Sequence, residues 1–233
     1  MEKKLKSWQG WLLFGGTMVV VFVLGMIAAS VNERHAEVTS VMNNKKTEIT
    51  GIEARNDKFE SNYPREYQTW EATADTSFKS LYNGNQAVDV LEARPEMVIL
   101  WAGYAFSKDY STPRGHMHAI EDMRNTLRVG APMTENEGPQ PATCWTCKSP
   151  DVPRMMQAMG VDNFYKGKWA SLGKEIVNPI GCADCHEPEN MNLHISRPAL
   201  IEAFQRQGKD ITKATQQEMR SLVCAQCHVE YYF

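Results

Sequence analysis

The chain has 233 residues, of which 42% are hydrophobic and 23% charged, enough for one or two packed domains and too apolar for a disordered polymer. Its formal net charge of -3 lacks the excess of clustered Lys and Arg that phosphate binding needs, so no nucleic-acid partner is expected. All six cysteines fall in CxxC pairs, which leaves no odd thiol to explain.

At the amino terminus, Lys3, Lys4 and Lys6 precede an uncharged run from Trp11 to Ser30 that includes Leu12, Phe14, Val19, Phe22, Leu24 and Ile27. Such a run is close to the roughly 20 residues that cross a bilayer, and its basic flank puts the amino terminus on the cytoplasmic side. Ala28-Ala29-Ser30 is small enough for a processing site. Residues 1–30 therefore read as a cleaved signal peptide or a retained signal anchor, and either delivers the remainder of the chain to an exported space. Residues 31–57, with Asn43-Asn44-Lys45-Lys46 in their middle, read as a polar linker or a solvated helix, and residues 58–233 as the functional domain.

Tyr63-Pro64, Tyr67 and Trp70 open that domain, and Gly84-Asn85 marks a turn. The periodicity predicts a helix from Pro95 to Phe106, with Met97, Ile99, Leu100, Trp101 and Tyr104 on a broad apolar face. After the turn at residues 111–116, a stripe at Met117, Ile120, Met123 and Leu127 predicts a second helix stopping near Gly130. A Gly- and Pro-rich loop, residues 135–143, leads into the first cysteine pair. Ser149-Pro150-Asp151 is a helix start, and that helix runs through Met155, Met156 and Met159, read as core, to Gly160. Further helices are expected from Ser196 to Gln207, capped by Ser196, and from Thr212 into the third cysteine pair. No alternating strand of useful length is visible, so the fold class is mostly α, with long irregular connections and little β.

The pairs are Cys144-Trp145-Thr146-Cys147-Lys148, Cys182-Ala183-Asp184-Cys185-His186 and Cys224-Ala225-Gln226-Cys227-His228. Two cysteines at this spacing can carry thioethers to a haem, and the residue after the second is normally the histidine that ligates the iron. The motifs therefore predict three haem c groups, two with His186 and His228 as ligands and one with Lys148. Zinc sites commonly separate their pairs by about 15–20 residues, and the gaps here are about twice that. A thioredoxin-type dithiol would need one pair in a βαβ setting, which is absent. Lys148 must shed its proton to bind iron, which a metal and a dry pocket both favour. An amine on one face of a haem leaves the other face for a substrate.

These stretches resemble the amino-terminal half of the ammonia-forming cytochrome c nitrite reductase family, a periplasmic pentahaem enzyme. The resemblance is carried by CWTCKSPDVPR (144–154), PRGH (113–116), TLRVGAP (126–132), GCADCH (181–186) and CAQCHVEYYF (224–233). It implies Lys148 as proximal ligand of the catalytic haem, Arg128 as the arginine that hydrogen-bonds nitrite, and Tyr231 as the active-site tyrosine. It further implies Glu230 and the Tyr231 carbonyl as calcium ligands, and His116 as the distal ligand opposite His228. A quinol-oxidising multihaem cytochrome would be the electron donor, and the full-length form a homodimer. His35, His118 and His194 match nothing in the pattern and read as surface residues or haem-edge hydrogen bonders. The family continues through two more CxxCH motifs, so a truncated sequence with little turnover of its own is expected. Two other readings stay open: a membrane-anchored multihaem electron carrier without a substrate site, and a zinc-binding interaction module.

Overall fold

A 37-residue helix, α1 (Ser7–Asn43), occupies the first of two units, residues 1–46 and 47–233, into which the computed structural model divides. The described residues are 6–43, 47–79, 81, 85–129 and 140–229. At 1.5 Å per residue α1 is about 55 Å long, well beyond the roughly 30 Å of a bilayer's hydrocarbon core. It is long and apolar enough to cross a membrane. The polar stretch after Ser30 continues the same helix as far as Asn43, in line with the solvated-helix alternative for that stretch.

The second unit is built from short helices: α2 (Asp57–Glu60), α3 (Pro64–Glu71), α4 (Val90–Ala93), α5 (Met97–Leu100), α6 (Ala119–Asn125), α7 (Asp151–Met159), α8 (Val161–Lys166), α9 (Trp169–Leu172), α10 (Cys182–Cys185), α11 (Pro198–Arg206) and α12 (Gln216–Ala225). Among the described residues strand pairing is limited to isolated bridges, Asp89–Ser111, Pro141–Lys168 and His186–Leu193. The fold is thus mostly α with long connections. Its main apolar core gathers Trp145, Val152, Met155, Met156, Phe164, Trp169 and Ile176, which places it under the first cysteine pair. A smaller one, Ile49, Phe59 and Ala183, lies under the second pair.

Several elements depart from the periodicity. The helix expected over 95–106 is only the four residues of α5, followed by a 3-10 turn at Ala105–Ser107. Gly103 at φ 87° breaks it, and Ile99 is 80% exposed. The helix expected over 117–127 begins as a 3-10 turn at His116–His118, continues as α6 and ends at Asn125. There the Leu127 N–H turns to the Asp109 carboxylate, leaving Leu127 exposed. Ser196 does not cap α11, which starts with Pro198 in its first turn; its hydroxyl is used elsewhere. The last helix starts at Gln216 instead of Thr212, set by a capping box in which Thr215 and Glu218 exchange hydrogen bonds. Gly160 (φ 87°) and Gly208 (φ 72°) stop α7 and α11 as expected. Gly84, Gly130 and residues 135–139 lie outside the described residues.

Candidate functional site

The first cysteine pair rides on a 3-10 turn, Ala142–Trp145, seated on the core. Trp145 is fully buried, stacks on Trp169 at 5.6 Å and 2°, and donates its indole N–H to the Trp169 carbonyl at 2.9 Å. Beyond Lys148, the Ser149 hydroxyl accepts the Asp151 N–H and donates to the Asn178 carbonyl at 2.6 Å. The buried Asp151 carboxylate in turn accepts the N–H groups of Val177 and Asn178. Both flanks of the loop are therefore fixed. Lys148 is half-buried, and its amine makes no hydrogen bond or ion pair with a described residue.

At the second pair, Gly181 meets the buried Asn56. Asn56 accepts the Cys182 N–H at 3.0 Å and donates to the Pro179 carbonyl at 2.9 Å. A Cβ on Gly181 would lie 1.9 Å from the Asn56 oxygen. Gly181→Ala is therefore expected to displace Asn56 and destabilise the protein by about 1–3 kcal/mol. A double-mutant cycle checks this: in an Asn56→Ala background the same change should cost much less, and equal costs in both backgrounds would refute the contact.

His186 points its Nδ1 at the Met191 carbonyl, 2.7 Å away. A carbonyl only accepts, so the ring proton sits on Nδ1 and Nε2 keeps a free lone pair, the arrangement that metal-binding histidines use. The loop that supplies this carbonyl is tight: Met191 has φ 59°, and its N–H returns to the Glu187 carbonyl.

α12 carries Cys224, and Cys227 and His228 come just after its end, with the His228 N–H bonded to the Cys224 carbonyl at 2.9 Å. His228 faces His116, ring centroids 6.4 Å apart. Two imidazoles on one metal, with bonds of about 2.0 Å and roughly 1.1 Å from nitrogen to ring centre, lie about 6 Å apart, so the pair fits a bis-histidine haem. His116 is presented by Gly115 at φ 93° and by Arg114, whose guanidinium is paired with Asp122 (2.6 Å) and Glu121 (2.8 Å) of α6. The His116 ring shows a face to solvent, yet the surrounding protein and the nearby His228 hold its pKa below the ordinary imidazole value.

All six cysteines are free of disulfides. Burial pushes the Cys185 thiol up to about 11 and Cys227 up to about 12, and raises Cys144 and Cys182 as well. That is opposite to a redox dithiol, whose thiolate must be stabilised, and it suits a sulfur that carries no charge, as in a thioether. Among the described residues no group of three or more His, Cys, Asp or Glu is placed to hold a metal ion.

Arg128 lies beyond the end of α6. Its Nε donates to the Thr126 hydroxyl at 3.2 Å, and its guanidinium sits 5.1 Å over the Phe106 ring. Its two terminal nitrogens have no partner among the described residues, and no hydrogen bond joins it to Lys148. Glu230 and Tyr231 lie outside the described residues. His118 and His194 approach backbone carbonyls of Ala74 and Ala183, each at 3.2 Å.

Sequence reasoning missed Arg197. It is 0% exposed, pairs with Asp184 at 2.5 Å, and donates to the Thr146 and Ser149 carbonyls at 2.8 and 2.9 Å. Gln226, also 0% exposed, accepts the Ser196 and Arg197 N–H groups and donates to the Asp184 carbonyl. The Ser196 hydroxyl receives a bond from Arg197 and donates to the same carbonyl. Thr146, Asp184 and Gln226 are the second intervening residues of the three CxxC motifs, so all three loops meet at one buried polar junction.

The sequence matches the cytochrome c552 family over residues 55–233. It is 76% identical over 233 residues to a protein named cytochrome c-552 from Bacteroides fragilis and 72% identical to one of the same name from Porphyromonas gingivalis. Each match takes in 100% of this chain and 47% of the relative, so the chain spans about half the length of these curated relatives. An Aliarcobacter butzleri cytochrome c-552 is 49% identical over 223 residues, 95% of this chain and 43% of the relative. The fold is similar to that of the catalytic subunit of cytochrome c nitrite reductase from Desulfovibrio desulfuricans, a protein with two calcium sites. The TM-score is 0.73 at 32% identity, over 80% of this chain and 42% of that one.

Proposed function

Because the chain belongs to the cytochrome c552 family, we propose that it carries the catalytic haem site and two relay haems of an exported nitrite reductase that forms ammonium. In this reading each cysteine pair holds one haem c. Lys148, His186 and His228 would each hold the iron of the haem on their own motif, and His116 would join His228 on the third. The observation that carries the proposal is the first loop: CxxCK in place of CxxCH, fixed on both flanks, with an amine that no described group engages. The similarity to a solved nitrite reductase supports it.

Haem c, when bound, supplies an iron for the nitrogen oxyanion and a route for electrons. The chain's own residues set the conditions. Lys148 would hold that iron through its Nζ, which binds a metal only as the free amine. Arg128, steadied by Thr126 and Phe106, offers two terminal nitrogens that no described residue engages, a fork suited to the oxygens of nitrite in a water-poor pocket. Tyr231 is assigned as the active-site tyrosine from its place in the HVEYY stretch. Glu230 and the Tyr231 carbonyl are hard oxygen donors of the kind calcium takes.

Residues 1–30 serve as signal or anchor, 31–57 as a polar connector and 58–233 as the reductase segment, on the periplasmic side of the cytoplasmic membrane. A quinol-oxidising multihaem cytochrome delivers the electrons, and the full-length protein pairs with a second copy. Electron paramagnetic resonance of the complete haem-loaded protein should show one high-spin haem whose signal changes when nitrite or cyanide is added. Exclusively low-spin haems, unmoved by either anion, would favour the membrane-anchored electron carrier instead.

A further inference from the structure

The buried junction at Arg197 has no part in nitrite binding or iron ligation, yet it touches all three attachment loops. One guanidinium reaches the backbone carbonyls of Thr146 and Ser149 on either side of Cys147-Lys148, and the Asp184 carboxylate between Cys182 and Cys185. Through its own N–H, accepted by Gln226, it is bonded into the third loop, between Cys224 and Cys227. The Asp184 carboxylate is itself held by the Gly181 N–H at 2.9 Å. A fully buried cation next to the second cysteine of each motif is a fixed charge in a low-dielectric setting, where its field is little screened.

We propose that Arg197 is a positioning residue whose buried pair with Asp184 locks the three haem-attachment loops in register and sets the balance of charge that tunes the haem reduction potentials. The inference rests on the haem reading above. Arginine suits the place because it offers five donors in a planar fork and stays charged when buried, whereas lysine could not satisfy four acceptors at once. Reduction adds negative charge to a haem, so a nearby cation favours it and a nearby unpaired carboxylate opposes it.

The test is an optical redox titration of the complete haem-loaded protein, with intact mass giving the number of attached porphyrins. Asp184→Asn removes the negative partner, keeps the shape and should shift at least one haem potential upward. Arg197→Met leaves the carboxylate alone and should shift at least one potential downward. Opposite signs from the two halves of one pair are not what a purely structural role produces. Shifts of the same sign, or no shift in either variant, would overturn the proposal. If Arg197→Met gives no haem-loaded protein, Asp184→Asn decides: an upward shift supports the assignment, and an unchanged or lowered potential removes it. Absence of porphyrin from the unsubstituted protein would instead strike the haem reading itself.

Discussion

Under the proposed nitrite-reductase reading, changing Lys148 to methionine or arginine is expected to cut nitrite-to-ammonium turnover by at least about 100-fold, because residues that merely support a metal ligand already cost 10–100-fold when lost. The two substitutions separate two roles. Methionine removes the amine and its charge, whereas arginine keeps a positive charge that never deprotonates and so offers no lone pair. If position 148 only needed a cation near nitrite, arginine would restore turnover; if it needs a ligand, arginine fails with methionine. Cys144 and Cys147 are untouched in both, so intact mass should show the same number of attached porphyrins as the unsubstituted protein. Ammonium release near the unsubstituted rate in the arginine variant would end the case for an amine ligand.

Trp145→Ala is expected to destabilise the protein by about 3–5 kcal/mol, the usual cost of emptying a fully buried aromatic site. Beyond the cavity, it removes the stack on Trp169 and leaves the Trp169 carbonyl without its indole donor. Trp145→Phe keeps most of the buried area and should cost substantially less. The midpoint of urea unfolding, compared for the two variants in haem-loaded protein, checks the order. An alanine variant as stable as the parent would show that the first loop does not depend on this core. The placement of Lys148 is thus linked to a packing event, since Trp145 is one of the residues between the two cysteines that precede the lysine.

How much of the molecule is legible in its sequence depends on how far apart the partners lie. Ser149-Pro150-Asp151, Gly160 and Gly208 act on their own neighbours, and their effect on α7 and α11 can be read directly. The cysteine motifs are similarly local. Thr215 and Glu218 also carry a readable signal, a threonine with a glutamate three residues on, which Thr212 just upstream masks. By contrast, the apolar run at Met97–Leu100 promises a buried face, but periodicity reports only which side chains share a side, not whether anything covers it. Arg197 and Asn56 are invisible for a deeper reason. A lone arginine or asparagine ordinarily belongs on the surface, and each is buried here by partners remote in sequence, Thr146 for one and Cys182 for the other. Arg128 is singled out only by the family resemblance, and Phe106, which orients it, falls by periodicity at the end of an expected helix of which only Met97–Leu100 forms.

The clasp between Asn56 and Cys182 also bears on the timing of maturation. Its two ends are 126 residues apart along the chain, so it cannot close until residue 182 has been synthesised and has met a segment made long before. Until that contact closes, the second cysteine pair and its two sulfurs are held only by their own neighbours in the chain. Once Asn56 takes the Cys182 N–H, those sulfurs are half covered. A contact this remote in sequence closes a large loop, so the second cysteine pair is held in place only when the domain around it has folded.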